Sequence, residues 1–196
     1  MSVKKNRSKA TNSVRIIGGK WRGRKIGVCK ETSVRPTPDR VKETLFNWLT
    51  ALLPGASCLD LFAGTGALGF ESLSRGAKKA WFIENDPTLY RALEKQKISF
   101  NANARLIKAD ALKVISEVTC RPFDIIFLDP PYEMDLSAVL LQLQFWLRDS
   151  SLIYVERNAM PDKCPITSLA EVNPSMSIWK KGAAGQVVFG LFKFKE

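Results

Sequence analysis

The chain has 196 residues and a formal net charge of +11, with 45% apolar and 25% charged residues. This length accommodates one complete α/β domain and a small extension, but not two domains of ordinary size. Histidine is absent and the four cysteines lie far apart, which excludes Ser-His-Asp triads, Cys-His dyads, histidine metal sites and a zinc ribbon. No apolar run approaches membrane-spanning length, so a soluble, cytoplasmic protein without a metal site is expected.

The positive charge is concentrated at the start of the chain. Residues 1–50 hold thirteen lysines or arginines and three acids, whereas the remaining residues are nearly neutral. A one-sided basic block beside a neutral domain is typical of a segment that binds a polyanion, although a merely solvated tail is the alternative. Residues 1–13 are polar and basic and are predicted to form a disordered basic tail.

Residues 14–35 are predicted to form a basic β-hairpin extension. Two short β-prone pieces with interleaved cations flank the turn signal Gly18-Gly19. Trp21 fits two roles equally well, because it can stack on a base or pack against the protein. The residues predicted to bind nucleic acid belong to this segment and to the start of the next helix: Arg15, Lys20, Trp21, Arg22, Arg24, Lys25, Arg35 and Arg40.

The next helix joins this extension to the main domain, which is predicted to span residues 36–196. Thr37 is expected to cap the helix, and Pro38 is suited to its first turn. Apolar residues then recur at helical spacing and define one stripe: Val41, Leu45, Trp48, Leu49 and Leu52.

From residue 57 onward, strand and helix patterns alternate, which predicts a parallel sheet covered on both faces. Strands are predicted near 57–62, 80–84, 104–108, 124–129 and 151–156. Helices are predicted near 66–75, 87–100, 111–119 and 136–147. The last part of the chain, 175–181 and 186–194 around Gly182 and Gly185, is predicted to form a closing β-hairpin.

A glycine-rich turn follows the first of these strands. The residues Gly64, Gly66 and Gly69 form the pattern GxGxxG. This pattern alone fits a nicotinamide-binding Rossmann domain as well as a domain that binds S-adenosylmethionine.

Three acids at successive strand ends favour S-adenosylmethionine. Asp60 suits the ammonium group of that cofactor, whereas it would repel a pyrophosphate. Glu84 is placed to hold ribose hydroxyls, and Asp110 is placed to accept a hydrogen bond from the adenine amine. The predicted cofactor is therefore S-adenosyl-L-methionine, and its predicted binding residues are Asp60, Phe62, Gly64, Gly66, Glu84, Asn85, Asp110 and Ala111.

The most specific signal is Asp129-Pro130-Pro131-Tyr132, directly after an apolar strand. Consecutive prolines donate no backbone hydrogen, so the carbonyl groups around them are expected to be rigid and free to accept. Asp129 and the Pro130 carbonyl suit the hydrogens of an exocyclic base amine, and Tyr132 is suited to stack on the base. All four residues are predicted to be catalytic, without a covalent intermediate and on an unstacked base.

The chain resembles the bacterial RsmD family over nearly its whole length, from Arg15 to about Phe194. The shared segments read RIIGGKWRGRKI, RPTPDRVKETLFNWL, DLFAGTGALGFESLSRGA, FIEND and LDPPY. The resemblance implies a class I S-adenosylmethionine-dependent methyltransferase, Rossmann-like, with a mostly parallel seven-stranded sheet and a C-terminal β-hairpin. It also implies methylation of N2 of a guanine in 16S ribosomal RNA, within the small ribosomal subunit or its assembly intermediate, by a monomer. Within the shared helix, Glu71 is expected to be structural.

Two other functions remain open from the residues themselves. A DNA adenine-N6 methyltransferase fits the same catalytic turn, although the chain has no evident target-recognition segment. A non-catalytic RNA-binding assembly factor fits the charge, although both the glycine turn and the catalytic motif are intact. A nicotinamide-dependent oxidoreductase is a third alternative.

Overall fold

The computed structural model describes residues 13–27, 37–117, 122–131, 134–160 and 164–195. The strands in these ranges are β1 (Ser13–Arg15), β2 (Lys25–Gly27), β3 (Ser57–Asp60), β4 (Lys79–Glu84), β5 (Ala104–Lys108), β6 (Ile125–Leu128), β7 (Leu152–Asn158), β8 (Met176–Ala184) and β9 (Val187–Phe194). The α-helices are α1 (Asp39–Leu49), α2 (Ala67–Ser74), α3 (Pro87–Phe100), α4 (Ala111–Glu117), α5 (Ser137–Gln142) and α6 (Pro165–Ala170), with 3-10 helices at Gly19–Trp21 and Leu143–Trp146.

Strands β3 to β9 form one seven-stranded sheet in the order β5-β4-β3-β6-β7-β9-β8. The first five strands in this order are parallel, and β9 pairs antiparallel with both of its neighbours, β7 and β8. This confirms the predicted mostly parallel sheet with a C-terminal β-hairpin. The turn lies at Gly185 and Gln186, and β8 runs straight through Gly182, which was expected to belong to the turn region.

Helices cover both faces of the sheet, as the buried strands require. On one face, α1, α2 and α3 pack around a cluster that includes Leu45, Phe70 and Phe127. On the other face, α4, α5 and α6 pack around a cluster that includes Ile126 and Trp146. Within the described residues, no helix is long and apolar enough to cross a membrane.

Three local predictions need correction. The helix predicted over 136–147 is α5 followed by a 3-10 helix, which brings Leu143 and Trp146 onto one buried side because side chains three residues apart align in that conformation. Thr37 does not cap α1, since no side chain caps that helix and the Thr37 hydroxyl donates elsewhere. Helix α6 was not predicted; it begins at Pro165, whose fixed φ suits a first turn.

The predicted basic β-hairpin is present, but its connection differs from the expected Gly18-Gly19 turn. β1 and β2 pair antiparallel, with Ser13 opposite Gly27, and the strands are joined through the 3-10 helix Gly19–Trp21. That helix turns Trp21 towards the main domain, where its ring stacks on Phe100 with 4.6 Å between centroids. Strand β1 begins at Ser13, the last residue of the predicted tail, and residues 1–12 lie outside the described ranges.

Buried polar groups of α2 attach the hairpin to the domain. The fully buried Glu71 accepts hydrogen bonds from the backbone nitrogens of Ile17 and Gly18, both at 2.8 Å. Ser74 Oγ accepts from the Trp21 nitrogen at 2.9 Å and donates to the Gly18 carbonyl at 2.6 Å. The hairpin and the sheet therefore share one core cluster, and Glu71 has the structural role expected for it.

Candidate active site

Four neighbouring strands each present one acid at the carboxyl edge of the sheet. These acids, called the acid row below, are Glu84 on β4, Asp60 on β3, Asp129 just after β6 and Glu156 on β7. Asp60 pairs in register with Phe82 and Phe127. Both rings belong to the core cluster on the side of α1, α2 and α3. Because side chains two residues apart on a strand point to the same face, the other acids of the row lie on that side as well. The acid row therefore lies on that face, where α2 begins.

Asp60 is the most deeply buried carboxyl of the predicted cofactor site, with 2% of its surface exposed. Its Oδ2 accepts a hydrogen bond from the Gly69 nitrogen at 3.0 Å. The pKa of Asp60 is raised from 3.8 to about 8, because burial and, to a smaller extent, the charge of Glu84 outweigh the opposing effect of the Gly69 hydrogen bond. The protonated form of Asp60 is therefore favoured up to a higher pH than in an exposed aspartate.

Glu84 connects the end of β4 to the glycine turn. Its Oε2 accepts from the Gly64 nitrogen at 2.7 Å, and its Oε1 accepts from the Asp86 nitrogen at 2.8 Å. Gly64 and Gly66 have φ values of +52° and +76°, a region that glycine adopts without strain. Each carboxylate oxygen has a second lone pair, so the oriented Glu84 carboxylate fits the ribose hydroxyls of S-adenosylmethionine.

The remaining predicted cofactor residues lie at the same edge, with different exposures. Phe62 is half-buried after β3, and Asn85 is exposed after β4. Asp110 is exposed and caps α4, because its Oδ1 accepts from the backbone nitrogens of the second and third helical residues at 2.9 and 3.1 Å. Ala111 is buried as the first residue of α4. Their contact with a cofactor stays a prediction.

Asp129 leads the predicted catalytic turn. The Thr37 hydroxyl donates to Asp129 Oδ2 at 3.4 Å. Burial raises the pKa of Asp129 well above its usual range, as do the charges of Glu156 and Asp60, while Arg157 and Thr37 oppose the rise. Asp129 is therefore suited to hold a proton.

The sequence led us to expect free proline carbonyls in this turn, and this expectation is wrong. Arg157 Nη1 donates to the carbonyls of Pro130 and Pro131 at 3.3 and 3.4 Å, and Nη2 donates to the Met134 carbonyl at 3.0 Å. The reason is that the end of β7 places a guanidinium beside the turn. Tyr132 lies outside the described residues, so its stacking role stays a prediction.

Sequence reasoning missed Thr37, Glu156 and Arg157 as parts of this edge. One signal was available for the last two, since an acid and a base stand together at the end of the predicted strand 151–156. Polar residues at the carboxyl end of a parallel strand are candidates for a site. No comparable signal pointed to Thr37.

The residues predicted to bind nucleic acid divide into two groups. Trp21 is only 7% exposed and stacks on Phe100. Of the two roles that the sequence left open for it, the structure therefore favours packing. Arg24 lies over the Phe100 ring at 4.2 Å, and its Nη2 donates to the carbonyl and hydroxyl of Ser99 at 2.7 and 2.9 Å. Arg24 is nevertheless exposed, as are the other predicted cations that the structure describes: Arg15, Lys20, Arg22, Lys25 and Arg40. Arg35 lies outside the described residues.

The structure does not bring all these cations to the catalytic edge. Helix α3 begins just after Glu84 and ends at Phe100, so its 14 residues extend about 21 Å away from the acid row. The 3-10 helix that contains Lys20 packs at that far end, whereas Arg40 lies in the first turn of α1, next to Thr37. Among the described residues, no group of His, Cys, Asp or Glu is arranged to hold a metal ion.

The order of the five parallel strands is that of a doubly wound nucleotide-binding sheet, with its switch point between β3 and β6, where Asp60 and Asp129 lie. Together with the antiparallel pair β9-β8, this fold and edge define a class I S-adenosylmethionine-dependent methyltransferase.

The family model described as "Conserved hypothetical protein 95" matches residues 14–193. The chain belongs to this family, which is the RsmD family that its motifs indicated. It is 40% identical over 195 residues to Ribosomal RNA small subunit methyltransferase D of Escherichia coli (strain K12), covering 97% of this chain and 95% of that protein. It is 45% identical over 154 residues to the protein of the same name in Haemophilus influenzae, covering 75% and 80%. A solved Escherichia coli structure, that of YhhF, superposes with a TM-score of 0.79 at 39% identity, covering 94% of this chain and 99% of that one.

Proposed function

We propose that this protein transfers a methyl group from S-adenosylmethionine to N2 of a guanine in 16S ribosomal RNA. Its substrate in this proposal is the small ribosomal subunit or an assembly intermediate, and it acts as a cytoplasmic monomer. The names of its Escherichia coli and Haemophilus influenzae relatives support a small-subunit RNA substrate. The observation that carries the proposal is that β3 and β6 are neighbouring parallel strands, so that Asp60 at the end of β3 and Asp129 just after β6 lie side by side at one edge of the sheet.

The cofactor's site would be built from the first three strand ends. Glu84 would hold the ribose hydroxyls, Asp60 the ammonium group, and the backbone around Gly64 and Gly66 would line the methionine end. Phe62, after β3, would lie beside the methionine end. The ends of β4 and β5 would surround the adenine through Asn85, Asp110 and Ala111. When bound, S-adenosylmethionine supplies a methyl group activated by its sulfonium charge.

The chain's own chemistry centres on the target nitrogen. An exocyclic amine is a weak nucleophile because its lone pair is delocalised into the ring. Asp129 and the Pro130 carbonyl would accept hydrogen bonds from its two hydrogens and favour a pyramidal nitrogen, the carbonyl through the lone pair that Arg157 does not use. Tyr132 would hold the unstacked base in line. The nitrogen loses a proton when it is methylated, and Asp129 in its carboxylate form would take that proton, since its raised pKa favours the protonated product.

The exposed cations would bind the RNA backbone over a long surface. Arg40 would contact phosphates beside the target base, which is supported by the hydrogen bond between Thr37, three residues earlier, and Asp129. Arg15, Lys20, Arg22 and Lys25 would contact phosphates further away, along the hairpin. Arg35 belongs to the same prediction.

The test is transfer of labelled methyl from S-adenosylmethionine to small subunits that lack the modification, in parallel with naked 16S RNA and duplex DNA. The modified nucleoside is then identified after digestion. N2-methylguanosine from the subunits is the expected product. N6-methyladenine in DNA would keep the chemistry and reject the substrate, and no transfer to any of the three would favour a binding protein without catalysis.

A further inference from the structure

Arg157 is a buried cation on the strand beside the catalytic turn. It belongs to β7 and exposes only 6% of its surface. Strand β7 is parallel to β6, with Val155 opposite Leu128 in register. Two residues further along, β7 thus reaches the level of the two prolines, where β6 has already ended.

The hydrogen bonds of Arg157 span both sides of the turn. Its Nη1 donates to the carbonyls of Pro130 and Pro131 at 3.3 and 3.4 Å, and its Nη2 donates to the carbonyl of Met134 at 3.0 Å. Residues 132–133 lie between these anchor points in the sequence. The guanidinium therefore ties together the backbone before and after Tyr132.

The sequence of the turn explains why an arginine is needed there. Proline has no N–H, so the backbone of Pro130 and Pro131 contributes acceptors and no donors. Several carbonyls that converge on one buried point need a donor with more than one N–H in a fixed geometry. Arginine presents five donors in a planar fork, whereas lysine offers a compact charge at the end of a flexible stem.

The charge of Arg157 also matters to its neighbours. It adjoins Glu156 in the chain and opposes the rise in the pKa of Asp129 that burial and the other acids produce. One cation thus acts on the turn in two ways, because it fixes the direction of its carbonyls and limits the proton affinity of its carboxyl.

We propose that Arg157 is a positioning residue of the methyl transfer, which acts by holding the carbonyls of Pro130, Pro131 and Met134 so that the Pro130 carbonyl is directed towards the target amine. This inference rests on the proposed role of the turn. It assigns no contact between Arg157 and the cofactor, so cofactor binding should not depend on it.

The experiment compares R157K, R157A and R148A, with D129A measured in parallel. Arg148 is the matched control, because it forms an ion pair with Asp124, whose Oδ2 accepts from the nitrogen of Ser57 at the opposite edge of the sheet. For each variant we would measure kcat and KM with RNA substrate, and the dissociation constant of S-adenosylhomocysteine by calorimetry.

We expect kcat to fall about 100-fold in R157A, the size of effect that a displacement of about 1 Å produces, and to fall by a smaller factor in R157K. The affinity for S-adenosylhomocysteine should stay within about threefold of wild type in both variants, since the cofactor half is untouched. Guanidinium at a concentration that does not unfold the protein should restore part of the R157A activity, while methylammonium and urea should not.

If R157A does not fold, R157K decides the question, since it keeps the charge and loses the fork. Wild-type kcat in R157K, or equal losses of kcat and cofactor affinity, would overturn the positioning role. An inactive D129A beside a fully active R157K would reject this inference alone. An active D129A would reject the proposed role of the turn and this inference with it.

Discussion

Thr37 and Asp129 are 92 residues apart in the sequence, and the hydroxyl of one donates to the carboxyl of the other at 3.4 Å. Thr37 is buried just before α1, at the junction between the N-terminal segment and the main domain. Because this hydrogen bond opposes the rise in the pKa of Asp129, the junction contributes directly to the properties of the predicted catalytic acid.

Replacing Asp129 by alanine should abolish turnover and leave cofactor affinity nearly unchanged. The proposed partner of Asp129 is the target amine, and removal of one such hydrogen-bonding group typically lowers kcat by about 100- to 1,000-fold. Single-turnover methyl transfer and calorimetric titration with S-adenosylhomocysteine would measure the two effects separately. D135N is the control, because it changes an exposed aspartate beyond the turn. A parallel fall of affinity and activity in D129A would contradict the assignment.

The affinity for S-adenosylmethionine should rise with pH up to about 8. Asp60 has a pKa of about 8 in the free protein, so a cationic ligand that requires the carboxylate must first displace its proton. Below that pH, each increase of one pH unit should lower the dissociation constant by up to about tenfold. Titrations in buffers of different ionisation enthalpy would count the released proton. D60N should bind weakly at every pH, and a wild-type affinity that is flat between pH 6 and 8 would refute the prediction.

The stability of the free protein should show the opposite side of the same shift. The unfolded Asp60 carboxyl ionises near pH 3.8, while the folded one keeps its proton until about pH 8. Unfolding therefore releases a proton in this window, and the free energy of unfolding falls as the pH rises through it. D60N escapes this loss, so its stability relative to wild type should be greater at pH 8 than at pH 5, by an amount on the order of a few kcal/mol. Urea unfolding at both pH values would measure the difference, and an identical difference at both would contradict it.

Replacing Glu71 by alanine should release the N-terminal hairpin. The substitution leaves the backbone nitrogens of Ile17 and Gly18 and the Nε of Arg75 without their shared acceptor. We expect a loss of about 3 kcal/mol in the free energy of unfolding, as for other buried charge partners. Amide exchange at Ile17 and Gly18 would show whether the hairpin detaches locally. E94A, which removes an exposed glutamate of α3, should leave both measurements unchanged.

Neutralising the exposed cations of the hairpin should weaken RNA binding and reduce its salt dependence. The variant replaces Lys20, Arg22 and Lys25 by glutamine and leaves Arg24 in place, because Arg24 bonds to Ser99. Each lost phosphate contact should reduce the slope of log affinity against log salt by roughly 0.7 to 0.9. The control variant neutralises three exposed lysines elsewhere: Lys113, Lys193 and Lys195. If both variants show the same slope, the hairpin has no specific part in binding.

Much of this fold could be predicted because its signals are local. The strand ends at Asp60, Glu84 and Asp129 stand out in the sequence as apolar runs that stop at an acid, and all three acids lie at one edge of the sheet. The glycine turn likewise lies in a short segment. Patterns of this kind need only neighbouring residues to be interpreted.

The roles that could not be predicted depend on distant partners. The hydroxyl of Thr37 looks like a helix cap until the end of β6 is placed beside it. Arg157 looks like a surface residue at a strand end until the register of β7 places it beside the prolines. Trp21 had two equal alternatives, and only the position of Phe100 decides between them. The contributions of Tyr132 and Arg35, outside the described residues, stay predictions.

The attachment of the hairpin also has a consequence for the order of folding. Ile17 bonds to a residue 54 positions later, and Arg24 bonds to one 75 positions later. Contacts across such distances form slowly, because a long loop must close before they stabilise anything. During synthesis, the apolar side chains of the hairpin should therefore stay exposed to water until α2 and α3 have been made. A chain shortened before Phe100 would keep Trp21 in water and should aggregate rather than form a smaller folded unit.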